Sequence, residues 1–274
     1  MKLSFTTLGC PDWDLATIAK RAKEYGYEGV ELRTNADGNH LSPDLPVAEV
    51  HRITAPFEEQ GIRIMSLMGY ASYAHADKAE VAKNQETTRR LIALAEAMHV
   101  PFIRVFGGQF AKGADREKVL RNAADGLRPL GKEAAERGVT LGFETHDDWC
   151  SGELVARLFD MIGERKGLGV VYDIYNAVIA GLEPWKVTYE RVRPFIAYCH
   201  LKDGWTDAQK KVHYCAIGGG EMPLNAILSR FKQDHYTGYF SFEWEKKWHP
   251  EIEAPERAFP QFSWKVRSVW NAGA

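Results

Sequence analysis

Short runs of apolar and β-branched residues alternate along the chain with longer segments whose apolar residues recur at helical spacing. The short runs have the length of β-strands and the longer segments have the length of helices, so the pattern predicts strands alternating with helices. The eight predicted strands are Leu3–Leu8, Gly29–Arg33, Arg63–Leu67, Phe102–Phe106, Thr140–Glu144, Gly169–Asp173, Ile196–Leu201 and Tyr239–Trp244.

Amphipathic stripes and glycines mark the predicted helices. Asp12 or Asp14 is predicted to cap the start of the first helix. Its apolar face carries Leu15, Ile18, Ala19, Ala22 and Tyr25. Several helices end in a glycine just before the next strand, and glycine tolerates the left-handed conformation that commonly closes a helix. These glycines are Gly61, Gly138, Gly167 and Gly238.

The repeated order of strand, helix and glycine predicts parallel strands joined by crossover helices. Eight such repeats in 274 residues fit one closed (β/α)8 barrel, which typically takes about 250 residues. An open doubly wound sheet usually carries a GxGxxG loop after its first strand, and the segment TTLGCPDW has none. We therefore predict one TIM-barrel domain over residues 1–274, with a C-terminal helical tail at about 255–274 that packs on the barrel bottom or on a partner chain.

Charge and composition exclude several kinds of partner. The 35 basic and 37 acidic residues give a formal net charge of -2, so no basic surplus favours nucleic acid. No apolar stretch approaches the roughly 20 residues needed to cross a bilayer, and the N-terminus does not resemble a signal peptide. The few cysteines are expected to be free thiols in a reducing cytoplasm. They are Cys10, Cys150, Cys199 and Cys215.

Four consecutive predicted strands end in a side chain that can bind a metal ion. The fifth strand ends at Glu144, the sixth reaches Asp173, the seventh His200 and the eighth Glu243. All strands of a parallel barrel end on one rim, where active sites assemble, so these side chains are predicted to converge. Any one of them alone would more often be a salt bridge, a helix cap or a hydrogen-bonded structural residue. Four on successive strands predict a metal site.

The chemistry of this donor set indicates which ion it suits. Carboxylate oxygens favour Mn²⁺ or Mg²⁺, and an imidazole extends the set to Co²⁺, Fe²⁺ and Zn²⁺. Three carboxylates cannot stay charged in an apolar barrel without compensation. We predict one divalent ion per chain, with manganese or magnesium preferred and zinc or cobalt as alternatives.

Further segments stand out beside these strand ends: CPDW after the first strand, HLKD at His200–Asp203, GGGE at Gly218–Glu221, and FEWEKKWHPE from the eighth strand onward. Together with the Glu, Asp, His and Glu pattern, they resemble the sugar phosphate isomerase/epimerase family, whose fold is the xylose-isomerase-like TIM barrel. The resemblance covers almost the whole chain. Its motifs are specific for the superfamily and carry little information about the substrate.

The resemblance implies an enzyme in which Glu144 and Glu243 bind the ion and also move protons. A bound metal ion acidifies the carbon-bound proton next to a carbonyl. One carboxylate would remove that proton and the other, on the opposite face, would return it. The implied products are an epimer or isomer of a sugar or keto-sugar, or a dehydrated product if a β-hydroxyl leaves. Relatives are often dimers or tetramers, so a homo-oligomer is expected.

Other residues near the strand ends are candidates for substrate binding. His146 is predicted to bind a substrate hydroxyl or to hold its loop. Lys202 lies two residues past the strand-seven histidine, on the same face, and could neutralise an enediolate or bind a carboxylate or phosphate. Glu221 is predicted to meet the substrate or anchor its loop, and Arg104 to pair with a barrel carboxylate. One or two aromatics are expected to touch the sugar. The candidates are Trp149, Trp205, Trp244, Trp248, Tyr70 and Tyr73.

Two departures from the family pattern bear on the substrate. Asn176 stands where some members have a histidine three residues after the strand-six aspartate. Thr206 stands where ketohexose 3-epimerases tend to have an arginine. Both argue against a 3-epimerase of simple ketohexoses. The HLKD segment is closer to inosose-dehydratase-like branches, so a lyase acting on a keto-inositol, dehydroshikimate or 3-keto-glycoside is the main alternative.

Two other classes fit less well. Repair endonucleases resemble this barrel but need several zinc ions and additional histidines. Asn176 replaces one expected histidine, and the segment Lys211-Val-His213 lacks the expected aspartate. A barrel that binds metal or sugar without catalysis is disfavoured, because all four ligand positions are intact.

Overall fold

The computed structural model describes residues 1–272. Eight strands close into a barrel in which every neighbouring pair is parallel. The predicted (β/α)8 barrel is therefore confirmed. Its strands are β1 (Lys2–Thr6), β2 (Gly29–Arg33), β3 (Arg63–Ser72), β4 (Phe102–Phe106), β5 (Thr140–Glu144), β6 (Leu168–Asp173), β7 (Ile196–Leu201) and β10 (Tyr239–Phe242). Around the barrel they follow the order β1-β10-β7-β6-β5-β4-β3-β2.

Helices connect successive strands around the outside. They are α1 (Leu15–Glu24), α2 (Val50–Gln60), α3 (Lys78–Ala97), α4 (Arg116–Glu136), α5 (Gly152–Ile162), α6 (Ile174–Ala180), α7 (Trp185–Val192), α8 (Leu224–Gln233) and α9 (Pro255–Ala272). Asp14, rather than Asp12, caps α1 by accepting from the Thr17 amide at 2.7 Å. Gly61 ends α2 in the left-handed conformation, as predicted. Gly238 has no positive φ; a side chain there would collide with the Tyr236 ring.

Two antiparallel strands interrupt the connection after β7. They are β8 (Asp203–Thr206) and β9 (Val212–Cys215). The buried Asp203 carboxylate holds the glycine-rich segment that follows, because it accepts hydrogen bonds from four backbone amides. Those amides belong to Gly204, Gly218, Gly220 and Met222, at 2.8, 2.8, 3.2 and 3.1 Å. Asp203 therefore organises this rim loop through its side chain.

The apolar residues form two layers separated by the barrel wall. The larger layer joins the outward faces of the strands to the helices and includes Phe5, Phe143 and Phe242. The smaller layer fills the barrel interior and consists of Met65, Val171, Tyr198 and Tyr239. We call the C-terminal rim of the barrel the mouth. Successive side chains along a strand point to opposite faces, so the inward side chains that follow this interior layer lie at the mouth.

The C-terminal helix α9 packs on the side of the barrel rather than on its bottom. Phe259 is fully buried, and its ring centroid lies 4.4 Å from that of Phe5 on β1. Phe262 lies 4.2 Å from Phe242 on β10 in the same way. The helix takes this position because the outward faces of β1 and β10 would otherwise meet water. Residues 273 and 274 of the predicted tail lie outside the described residues.

Replacing Phe259 with alanine should destabilise the fold by about 3–5 kcal/mol, the usual loss for a buried aromatic side chain. The physical reason is the cavity left where the ring contacts Phe5 and Trp13. Urea unfolding measures the change. Arg257→Ala is the matched control on α9, because its side chain is 81% exposed and should change stability by less than about 0.5 kcal/mol. Equal effects of the two variants would contradict this packing.

The four cysteines are free, and Cys10, Cys150 and Cys199 are buried. Burial raises the pKa of the Cys10 thiol well above its ordinary value, so this side chain stays protonated and behaves as a small apolar group. Among the helices of residues 1–272, none combines the length and the apolar character that a membrane span requires.

Candidate functional site

The four predicted ligands converge at the mouth. Glu144 ends β5, Asp173 ends β6, His200 lies near the end of β7, and Glu243 directly follows β10. All four side chains are buried, and one donor atom from each lies within 4.8 Å of the others. The strand pairing explains the convergence. Asp173 lies opposite His200 across the β6–β7 pair, and His200 lies opposite Ser241 across the β7–β10 pair, two residues before Glu243.

Glu31 fixes the orientation of the His200 ring from the opposite side of the barrel. The Nε2 atom of His200 lies 2.8 Å from a Glu31 oxygen, and its Nδ1 atom lies 2.6 Å from Glu144. Tyr198 and Ser241 also donate hydrogen bonds to the Glu31 carboxylate, at 2.5 and 3.2 Å. When a carboxylate holds the Nε2 proton of an imidazole, the other ring nitrogen is the one that a metal ion binds. Glu31 therefore leaves Nδ1 facing the other three ligands.

Two permanent cations contact the same carboxylates. Arg104, buried on β4, donates to Glu144 through both Nε and Nη2. The predicted pairing of Arg104 with a barrel carboxylate is confirmed. The ammonium of Lys202 contacts Asp173 at 2.7 Å and also donates to Glu243 and to Glu245. The carboxylates at the mouth therefore exceed the fixed positive charges.

The surrounding charges move the pKa values of the carboxyl groups in different directions. Burial raises the pKa of Asp173 to about 7, against the effect of Lys202. Burial acts in the same direction on Glu243, but Lys202 and His200 outweigh it and lower that pKa to about 2. Arg104 and His200 likewise overcome burial at Glu144 and hold its pKa well below the ordinary value. Glu144 and Glu243 are therefore charged at neutral pH, as a proton acceptor must be.

The donor set suits one divalent cation. Ligand atoms on opposite sides of an ion with bonds of about 2.1 Å lie about 4 Å apart, so four atoms within 4.8 Å of one another need only small movements to share one ion. Three carboxylates and an imidazole are ligands that Mn²⁺, Mg²⁺, Zn²⁺ and Co²⁺ all accept. An ion would also offset the excess negative charge that Arg104 and Lys202 leave uncompensated.

The remaining predicted site residues lie at different places. His146 is two-thirds buried beside the Phe106 ring, and its Nδ1 lies 2.9 Å from Asp147. Glu221 is exposed, and over residues 1–272 its side chain makes no hydrogen bond or ion pair to the four ligands. Its backbone amide instead donates to Gly204 at 2.8 Å. The structure thus brings Lys202 among the ligands, keeps His146 near them and leaves Glu221 on the loop.

Burial separates the six aromatic candidates into three groups, and Tyr70 alone is partly buried. Trp149, Trp244 and Tyr73 are fully buried and belong to the packing of the barrel. Trp205 and Trp248 are 44% and 52% exposed, so these two rings are the most accessible of the six.

Sequence reasoning missed three charged residues of the mouth. Glu31 and Arg33 lie on β2, and both are fully buried. Glu245 lies two residues past Glu243 and contacts Lys202. A charged residue inside an otherwise apolar strand, as in the run GVELR, is a signal that could have found Glu31. The spacing of two residues in FEWE could have found Glu245 by strand parity.

The family model of the xylose isomerase-like TIM barrel matches residues 19–261. The chain belongs to this family. A search of curated proteins finds no match for it.

Solved structures share the fold of this family member over nearly their whole length. The probable 3-DHS dehydratase AsbF from Bacillus anthracis has a TM-score of 0.78 and 17% identity, covering 98% of this chain and 99% of that one. The 3-keto-D-glucoside 4-epimerase YcjR from E. coli has a TM-score of 0.77 and 16% identity, with the same coverage. The IolI protein with a bound zinc atom has a TM-score of 0.79 and 15% identity, covering 100% and 99%. At identities this low, the TM-scores show a shared fold and nothing about activity.

Replacing Glu31 with glutamine should weaken binding of a divalent ion by roughly 10- to 100-fold, the usual effect of losing a partner that orients a metal ligand. The reason is that a neutral amide holds the Nε2 proton of His200 less strongly than a carboxylate does. Competition with a chromogenic chelator measures the affinity. Glu59→Gln, at an exposed position of α2, is the control. Wild-type affinity in Glu31→Gln would show that Glu31 does not act through His200.

Proposed function

We propose that this protein is a divalent-metal-dependent isomerase or epimerase of a sugar or keto-sugar, working by proton transfer next to a carbonyl. The observation that carries the proposal is the buried cluster of Glu144, Asp173, His200 and Glu243 at the mouth. We assign these four residues to one divalent ion, with Mn²⁺ or Mg²⁺ preferred. The zinc bound in the neighbouring IolI structure supports a site of this kind, and Zn²⁺ and Co²⁺ remain alternatives.

The proton steps fall to the two glutamates of the cluster. A divalent ion held there would polarise a substrate carbonyl and its neighbouring hydroxyl and so acidify the carbon-bound proton between them. Glu144 and Glu243 are charged at neutral pH, and one would remove this proton from one face of the substrate while the other returns a proton to the opposite face. Lys202 and Arg104 hold these carboxylates in position. His146 would bind a substrate oxygen, and Lys202 would do so by releasing one of its three carboxylate partners. Glu221 would approach the substrate only from its loop.

A lyase of the same superfamily is the second candidate. Elimination of a β-hydroxyl would start with the same removal of a proton next to a carbonyl. Burial would lower the pKa of Lys202, but Asp173, Glu243 and Glu245 raise it well above the ordinary value, so the ammonium keeps its charge and would stabilise the negative charge that follows proton removal. A neighbour described as a probable 3-DHS dehydratase supports this alternative.

A homo-oligomer acting on a small-molecule substrate completes the proposal. Trp264 on α9 and Leu182 after α6 are 67% and 61% exposed, and such large apolar side chains suit a contact between subunits.

Incubating the Mn²⁺-loaded protein in D₂O with a panel of ketoses, keto-inositols and 3-keto-glycosides tests the proposal. We expect metal-dependent deuterium uptake at the carbon next to the carbonyl, followed by NMR. Inversion at that carbon would indicate an epimerase, and migration of the carbonyl an isomerase. Loss of water or of an aglycone would indicate the lyase. Identical behaviour of the metal-loaded and metal-stripped protein on every sugar would contradict the proposed function.

A further inference from the structure

Arg33, the last residue of β2, is a buried cation with an unused donor. Its side chain is fully buried. Its Nε atom donates to the hydroxyl of Tyr70 at 2.9 Å, and its Nη1 atom donates to Asp37 at 2.8 Å. The Nη2 atom has no hydrogen-bond partner anywhere in residues 1–272. Leaving a buried cationic donor unpaired is costly, so an arginine with a purely structural role should have this nitrogen paired as well.

Aromatic rings place this guanidinium at the mouth. Its central carbon lies 5.1 Å from the Tyr70 ring centroid and 5.6 Å from that of Trp248, which is half exposed. The same Tyr70 ring lies 5.6 Å from the guanidinium carbon of Arg104, and Arg104 contacts Glu144. The Tyr70 ring therefore links Arg33 to Arg104 and Glu144 at the proposed metal centre, and a substrate bound at that centre would have to pass Tyr70 to reach Arg33.

The charges around Arg33 favour an anion. Among residues 1–272, Asp37 is the one carboxylate that contacts Arg33, and Asp37 also lies 3.6 Å from the ammonium of Lys247. The hydrogen bond from Arg33 lowers the pKa of Asp37 to about 2, so Asp37 is charged at neutral pH. Two cations then share one carboxylate. This corner of the mouth carries surplus positive charge, in contrast to the carboxylate-rich metal centre.

We propose that Arg33 binds an anionic group of the substrate, a carboxylate or a phosphate, at the end of the molecule remote from the reacting carbon. This inference rests on the proposed function, because it names the substrate class of the same site: sugar acids or sugar phosphates rather than neutral sugars. Tyr70 and Asp37 hold the guanidinium in place through two of its nitrogens, and Nη2 is the atom left to donate to the anion. A charge-assisted hydrogen bond of this kind gives both affinity and orientation.

Three probes with one carbon skeleton test the inference: D-fructose, D-fructuronate and D-fructose 6-phosphate. Isothermal titration of the Mn²⁺-loaded protein at constant ionic strength measures their dissociation constants. We expect wild type to bind one of the two anionic probes roughly 10- to 100-fold more tightly than fructose. The anionic probe that binds more tightly shows whether the site prefers a carboxylate or a phosphate. In Arg33→Gln this preference should fall to about threefold or less. A wild type without any preference, or a preference that survives in Arg33→Gln, overturns the inference.

Two further variants make the outcome decisive. Arg52→Gln removes an arginine whose side chain is 66% exposed on α2 and should keep the preference. Asp37→Asn keeps Arg33 but removes its competing carboxylate, so the preference for the anionic probe should increase. This variant decides the question even if Arg33→Gln fails to fold, because an unchanged or reduced preference would contradict the inference.

Deuterium exchange separates this inference from the proposed function. An Arg33-dependent preference without metal-dependent exchange on any sugar would reject the isomerase proposal and retain the anion site. Exchange that proceeds equally on neutral and anionic sugars, and is unaffected in Arg33→Gln, would retain the isomerase and reject the anion site.

Discussion

Replacing Glu144 or Glu243 with glutamine should lower turnover by roughly 10²- to 10⁴-fold each, the usual contribution of a general acid or base. Glutamine keeps the size and a donor oxygen of the side chain but cannot accept a proton at neutral pH. Metal affinity should therefore fall much less than turnover. Steady-state rates, together with the metal content of each variant, measure the two effects separately.

Solvent exchange distinguishes the two glutamates. If they act on opposite faces of the substrate, one glutamine variant should still exchange the substrate proton in D₂O without net conversion, because only the return step is lost. Glu86→Gln on α3, with a side chain that is 63% exposed, controls for the substitution itself. Near-wild-type turnover in both site variants at full metal occupancy would exclude the mechanism with two carboxylates.

Replacing His200 or Asp173 with alanine should abolish tight metal binding and activity together. The loss of affinity should exceed the roughly 10- to 100-fold that is typical when only a supporting partner is removed, because a direct ligand is lost. The remaining carboxylates would also face one another with less compensating charge. Equilibrium dialysis against Mn²⁺ measures the affinity, and circular dichroism checks that the barrel remains folded.

A conservative variant separates metal binding from local structure at Asp173. This carboxylate also caps α6 by accepting from the Asn176 amide at 2.8 Å. Asp173→Asn keeps an oxygen for this cap but loses the charge, so it should keep the fold and still bind metal weakly. His51→Ala, at an exposed position of α2, is the control for His200→Ala. Either alanine variant binding Mn²⁺ as tightly as wild type would show that its residue is not a ligand.

The buried charges at the proposed metal site partly balance one another. Glu31 and Glu144 lie on the two sides of His200. Burial would lower the pKa of His200, but Glu31, Glu243 and Glu144 raise it well above the ordinary value. In the metal-free protein the imidazole therefore carries a proton that offsets part of the negative charge. An ion bound at Nδ1 would have to displace that proton, so the proposed metal binding should release protons to solvent.

Local patterns in the sequence determined where the strands run and which residues end them. Strands such as Thr140–Glu144 coincide with short apolar runs of the sequence, because a parallel strand that is buried on both faces requires such a run. The ends of parallel strands share one rim. For this reason the strand pattern alone predicts that Glu144, Asp173, His200 and Glu243 lie on one rim.

Only the tertiary structure decided which charged groups meet across the barrel. Glu31 and His200 are 169 positions apart, and nothing in the local sequence of either residue names the other. Strand parity alone predicts that Lys202 shares the face of His200, yet its three carboxylate partners follow from the closure of β6, β7 and β10 around it. The aromatic surroundings of Arg33 likewise come from distant parts of the chain, namely Tyr70 on β3 and Trp248 in the segment after β10. Periodicity is a property of one segment, whereas the partner of a buried charge depends on how separate segments pack, and that information appears only when the barrel closes.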